Sequence, residues 1–235
     1  MPSKALDGLL RGVGEVDHLL EGDPTPIGGL SPRPDITRAV TRAAVVLLCS
    51  HYERYLRSVV EETVAEVNAR GVVGDRLSER LRLQHSRMGV EELATLEWTR
   101  RANRLGEFIR SEAWLWGGGP QSPLSAKALL SWMRAPVPKN VIRLYDLWGI
   151  SDIFSNITRA EHTRRNLELN LQALVDKRNN IAHGDFSVEA TRGDVERYQG
   201  AVSIFCERAD RALAKALNRS LGMVVGWYRS VPSRW

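Results

Sequence analysis

Residues 174–185 read LVDKRNNIAHGD, which places Arg178 five positions before His183, with Asn179 beside the arginine and Gly184 directly after the histidine. An arginine can grip a phosphate with two parallel N–H donors, and a histidine can move a proton near neutral pH. Together they make a minimal kit for cleaving RNA with side chains. The spacing alone says little. A chain with about 28 arginines and five histidines yields roughly 0.6 Arg-x4-His matches by chance. This chain has two, and the other runs from Arg80 to His85.

Setting separates the two matches. Arg178 falls on the row 167, 171, 174, 178, 181, where the other members are apolar and the helical period demands an inward residue. A charge aimed at a packed seam needs a partner or a purpose, and Glu53 is a candidate carboxylate for it. Asn179 and His183 stand four apart and share a helix face. Gly184 is suited to stop the helix just beyond His183. His183 then has two readings, a proton-transfer group or a histidine resting on the carbonyl end of its helix. The Arg80–His85 match sits in RLSERLRLQH and reads as a solvated face.

The elements that must position these residues are helical. Residues 3–20 carry Leu6, Leu9, Leu10, Val13, Val16, Leu19 and Leu20 at helical spacing, and residues 22–34 read as a Pro/Gly-rich loop. A long helix capped by Asp35 runs to about residue 68, with Val45, Leu48, Tyr52, Tyr55, Leu56, Val59 and Val64 inward. Residues 75–112 form a thinly apolar helical stretch, and 113–123 a loop with two tryptophans. Two short helices divided by Pro136 and Pro138 occupy 124–150. Thr158 with Glu161 predicts a capping box opening a helix to about residue 183, and Ser187 caps a last helix over roughly 188–220. No strand alternation stands out. The expected organisation is an N-terminal helix and loop over 1–34, a helical domain over 35–222 with an insert at about 75–155, and a tail over 223–235.

The net charge is +5, carried almost wholly by arginine, which favours a polyanionic partner. A GC-rich genome also enriches arginine, so charge alone does not fix that partner. Cys49 and Cys206 sit in apolar helical contexts with no CxxC, so no disulfide framework or zinc site is indicated. No run approaches a membrane span, and the chain reads as a soluble cytoplasmic protein. Trp98, Trp114, Trp116, Trp132 and Trp148 could stack on bases or fill core. His18 and His162 read as exposed.

The heptapeptide RNNIAHG at 178–184 resembles the signature of the HEPN superfamily, in which an arginine and a polar residue are followed after three positions by histidine. The segment LLCSHYERY at 47–55 is similar to the first core helix of the RiboL-PSP and MAE-type branches, where an aromatic and a glutamate recur. The likeness covers residues 36–68 and 160–220, and leaves out the insert and the first 30 residues. It implies an all-α, antiparallel helical bundle and a metal-independent endoribonuclease of bacterial conflict systems, a toxin or antiphage effector. Such enzymes act as homodimers in which two Arg/His pairs meet at one cleft, with RNA as substrate, no cofactor, and in some systems a cognate antitoxin or other defence protein. Some members are instead non-catalytic binding modules. The implied catalytic residues here are Arg178, His183 and Asn179, with Glu53 holding Arg178. His51, beside Glu53 in sequence, is either a helix-packing residue or an assistant at the cleft.

Overall fold

A computed structural model describes residues 2–22, 33–119 and 121–227. Among these the protein is all-α, with nine α-helices: α1 (Lys4–Glu21), α2 (Pro34–Ala69), α3 (Glu79–Thr95), α4 (Trp98–Glu112), α5 (Ala126–Leu130), α6 (Pro138–Asp146), α7 (Ile153–Ile157), α8 (Glu161–Ala182) and α9 (Arg192–Leu221). Most of the Pro/Gly-rich loop, and Tyr228 and Trp235 of the tail, lie outside the described residues.

The bundle that positions the candidate site is α1, α2, α8 and α9, packed on one another. The apolar stripe of α2 is buried along its length, from Ala44 and Val45 to Val67. At 36 residues, α2 is roughly 54 Å long and forms the spine of the molecule. Phe205 of α9 sits at the centre of an aromatic cluster. Its ring lies edge-on to Tyr52 of α2 at 6.0 Å and to Tyr145 of α6 at 6.2 Å, and tilted against Phe154 of α7 at 5.1 Å. Beside the cluster, the Tyr55 hydroxyl donates to the Cys206 carbonyl at 3.1 Å and lies 3.4 Å from the Tyr145 hydroxyl, whereas the Tyr52 hydroxyl is buried with no hydrogen-bond partner among the described residues. Tyr145 and Phe154 belong to the middle third of the chain, which therefore contributes to the central core as well as flanking it.

The N-terminal helix is tied in by polar groups. Ser3 caps α1 by accepting from the Leu6 N–H at 3.0 Å. It also donates its own N–H and hydroxyl to the buried Asp210 of α9, at 3.1 and 2.6 Å. Glu62 of α2 accepts from the N–H groups of Lys4 and Ala5. Two carboxylates thus meet the donor end of α1, where the helix dipole favours negative charge.

Several element boundaries differ from the sequence expectation. The helix containing Arg178 begins at Glu161 with Ala160 as its N-cap and no side-chain cap. The Thr158 hydroxyl instead accepts from Arg208 at 3.0 Å, a tertiary bond that replaces the expected capping box. The last helix is capped by Thr191, whose hydroxyl accepts from the Asp194 N–H while the Asp194 carboxylate accepts from the Thr191 N–H. Ser187 spends its hydroxyl on Asp185. Arg33 occupies the N-cap of α2 with no side-chain capping bond, its guanidinium pairing with Asp35 at 3.6 Å, and Pro34 opens that helix. The stretch 75–112 divides into α3 and α4 at Leu96, and α7 was not anticipated.

Candidate active site at the end of α8

The face of α2 that carries Arg42, Cys49, Glu53 and Arg57 repeats at intervals of seven and four residues, so all four project to one side. Arg178 of α8 meets the middle of this face. Its Nε donates to Cys49 Sγ at 3.4 Å, and one terminal nitrogen lies 3.2 Å from Glu53 Oε2. Glu53 offers its other oxygen to Arg57 at 3.2 Å, and Arg57 also donates to the Met133 carbonyl. Burial pushes the Cys49 thiol up from its usual value, so it stays neutral and accepts as a sulfur lone pair. The bond to Cys49, with the charge of Glu53, raises Arg178 above the usual arginine value, and it remains a cation. One glutamate between two arginines leaves this cluster with a net positive charge. Arg178 keeps 24% of its side chain exposed, and its second terminal nitrogen has no partner among the described residues. A phosphate oxygen would fit there.

His183 is the C-cap of α8, and its N–H donates to the Asn179 carbonyl at 2.9 Å. Gly184 follows at φ +81°, a conformation that glycine adopts without strain. The Gly184 N–H then bonds the Ile181 carbonyl and the Asp185 N–H the Asn180 carbonyl, closing the helix as a Schellman motif. The His183 side chain is exposed and that of Asn179 half-buried, and neither has a hydrogen-bond partner among the described residues. At about 100° per residue, Arg178 and His183 point roughly 140° apart around the α8 axis, whereas Asn179 and His183 differ by about 40°. Within one chain the arginine faces α2 and the histidine faces outward.

His51 lies elsewhere. It is two positions from Glu53, about 200° around α2, and turns towards α1. Its ring fills the space beside Gly12, where a Cβ would come within 2.3–2.7 Å of ring atoms. Nε2 is 3.2 Å from Glu15 Oε2 but too poorly aligned to hydrogen-bond. Of the two places the sequence offered His51, helix packing is the one it occupies.

The Arg80–His85 match is not the solvated face its sequence suggested. His85 keeps only 9% of its side chain exposed. Its Nδ1 is 3.0 Å from Glu112 Oε2, and its Nε2 accepts from the Ser125 N–H at 3.1 Å. The cleft it lines, about 320 Å³, is walled by α3 and α4. With both ring nitrogens engaged, His85 ties the loop before α5 to these helices. Of the tryptophans, Trp114 and Trp148 are buried, Trp116 and Trp132 lie beneath Arg82 and Arg143, and Trp98 is 76% exposed.

Of the residues the sequence singles out, the structure brings Arg178 and Glu53 together and leaves His183 and Asn179 on another flank of α8, and it adds Cys49, Arg57 and Arg42. Cys49 and Arg57 each stand four residues from Glu53 on one helix face, a spacing that does not by itself tell a core cysteine from an acceptor.

An all-helical bundle with an arginine anchored between two of its helices and a histidine at the glycine-stopped end of one defines the class. A family model for RiboL-PSP-HEPN domains matches residues 17–215, and the chain belongs to that family. The match runs through the middle third and into α1, both beyond the extent of the sequence likeness. HEPN domains are often ribonucleases, so membership points to nuclease or other nucleic-acid-related function. Comparison with curated proteins and with solved structures returned no match. No described helix is long and apolar enough to cross a membrane, and no group of three or more potential metal ligands occurs among the described residues.

Proposed function

We propose that the protein is an endoribonuclease whose active site is assembled from two copies of the chain. The observation that carries this reading is the fixed arginine: Arg178 is held by Cys49 and Glu53 in a net-positive cluster, with donors to spare for an anion. In the reaction, the ribose 2′-oxygen attacks the adjacent phosphorus and the bond to the 5′-oxygen breaks, giving a 2′,3′-cyclic phosphate and a 5′-hydroxyl end. One proton leaves the 2′-hydroxyl and one reaches the 5′-oxygen. His183 and the partner copy's equivalent histidine supply the two transfers, because a single imidazole cannot stand on both sides of the phosphate at once. Arg178 stabilises the charge that develops on the phosphate oxygens. Asn179, on the same flank as His183, orients the imidazole or donates to a phosphate oxygen. These side chains suffice for the chemistry without a metal or organic cofactor. Such an activity fits a cytoplasmic toxin or antiphage effector, held in check by a cognate antitoxin or another defence protein.

The outward direction of His183 relative to Arg178 favours a second reading, a non-catalytic HEPN module that binds nucleic acid or protein. One experiment separates the two. Purified protein is incubated with RNA in EDTA, alongside Arg178→Ala, His183→Ala and wild type mixed with excess His183→Ala. The enzyme reading expects cyclic-phosphate ends from the wild type, a loss of at least about 100-fold in each variant, as for removal of an acid–base or charge-stabilising group, and suppression of the wild type in the mixture, because a mixed pair holds one histidine where the reaction uses two. Cleavage that survives both substitutions would sink the assignment, and wild-type activity undiminished in the mixture would sink the shared site.

A further inference from the structure

Phe186 is the most exposed large apolar side chain among the described residues, at 82%. It stands three residues beyond His183, and its turn is braced from three sides. The Asp185 carboxylate accepts from the Ser187 N–H at 2.9 Å and the Ser187 hydroxyl at 2.6 Å. The Asp185 N–H closes the Schellman motif. Arg42 of α2 donates from one nitrogen to the carbonyls of Asp185 and Val188, both at 2.8 Å. The same guanidinium lies 5.5 Å from the Phe186 ring centroid. The ring is therefore presented to solvent on a fixed support, with a cation beside it.

Position gives the ring a meaning. Along α8 the rise from Arg178 to His183 is about 7.5 Å, and three more residues reach at most about 11 Å further. Phe186 therefore stands within about 11 Å of chain from His183 at the exposed end of α8, a reach comparable to one nucleotide, while Arg178 of the same chain turns towards α2. We propose that Phe186 is a stacking platform for the nucleobase adjoining the scissile phosphate, and that Arg42 holds the turn and adds positive charge beside it. This rests on the ribonuclease reading for its geometry, although base stacking needs no cleavage. The flat ring accepts any base, because every base presents a π face. Of the nearby carboxylates, Glu189 is paired with Arg38 at 3.3 Å, and Asp185 is hydrogen-bonded by Ser187 and keeps its negative charge close to the Arg42 cation.

The test uses the full chain and single-stranded RNA carrying 5-iodouridine, in EDTA. Ultraviolet cross-linking followed by peptide mapping is expected to mark Phe186. Binding is expected to weaken about 5- to 150-fold in Phe186→Ala and Phe186→Leu, and to hold in Phe186→Trp. Leucine binding as well as phenylalanine would overturn stacking. So would cross-links that avoid Phe186, unchanged binding in Phe186→Ala, or a change of oligomeric state in Phe186→Ala without RNA, which would make the ring a protein contact. Cross-linking at Phe186 without cleavage leaves the platform standing and removes the enzyme. Cleavage that is indifferent to Phe186→Ala does the reverse.

Discussion

A charge on an otherwise apolar row needs an answering group, and Glu53 answers for two arginines at once. Glu53→Gln keeps the shape and removes the charge, so Arg178 and Arg57 would face each other without neutralisation. The pair with Arg178 is about one-quarter exposed on each side, so the penalty is smaller than for a fully buried pair. A loss of about 1–2 kcal/mol of stability is expected in urea denaturation, with a clear fall in RNA cleavage as Arg178 loses its anchor. Full activity in that variant would show that Glu53 does not position the arginine. Arg178 and Glu53 were legible in sequence because the helical period makes an inward arginine conspicuous. Cys49 was not, because a cysteine among apolar residues looks like core, and only the tertiary approach of α8 turns its sulfur into an acceptor. Arg42 was hidden for a related reason: its partners are backbone carbonyls, which carry no sequence identity.

At the scale of elements, long helices were readable and their ends were not. An amphipathic stripe is repeated many times along a helix, while a cap depends on one hydroxyl that a distant group can claim. Arg208 claims Thr158, and Asp185 claims Ser187. The seam between α1 and α2 shows a second dependence on single atoms. Gly12→Ala would drive a methyl group into the His51 ring. It is expected to cost about 1–3 kcal/mol, as overpacking does, and the double variant Gly12→Ala/His51→Ala should recover part of that loss in thermal melts. No recovery would mean that the clash is not with the imidazole. At the start of α9, burial pushes the Asp194 carboxyl up, but the Thr191 N–H, Lys177 and Arg197 outweigh it and hold the group well below the usual carboxylate range. The unfolded chain then binds more protons than the folded one as the pH drops below about 4. The stability Asp194 contributes is full above that point and is lost on the way down towards its depressed folded value. Asp194→Asn should flatten the acid limb of a stability–pH curve and leave its slope near neutrality alone. An unchanged acid limb would show that this carboxylate does not set it.

For the molecule as a whole, the sequence conveyed an all-helical bundle but not how the middle third joins its core. Its thin stripe and frequent arginines read as an addition to the domain, because the residues that weld it to the core, Tyr145 and Phe154, are single aromatics on short helices. Periodicity has no length to act on in five or nine residues. The family match across residues 17–215 also runs through this segment.

The Arg57–Glu53–Arg178 cluster carries a consequence for assembly. If two copies turn these clusters towards one cleft, association gathers like charge and is opposed by it. A polyanion in the cleft removes that opposition, so it binds the pair more tightly than either copy alone. By thermodynamic reciprocity the polyanion must then tighten the pair to the same degree. Sedimentation of His183→Ala with and without a short RNA should show the dimer favoured by RNA at low salt, with the advantage shrinking as salt rises. A dimer indifferent to RNA would break the link. If the link holds, the target itself calls the active species into being, and abundance of RNA sets how much of it exists.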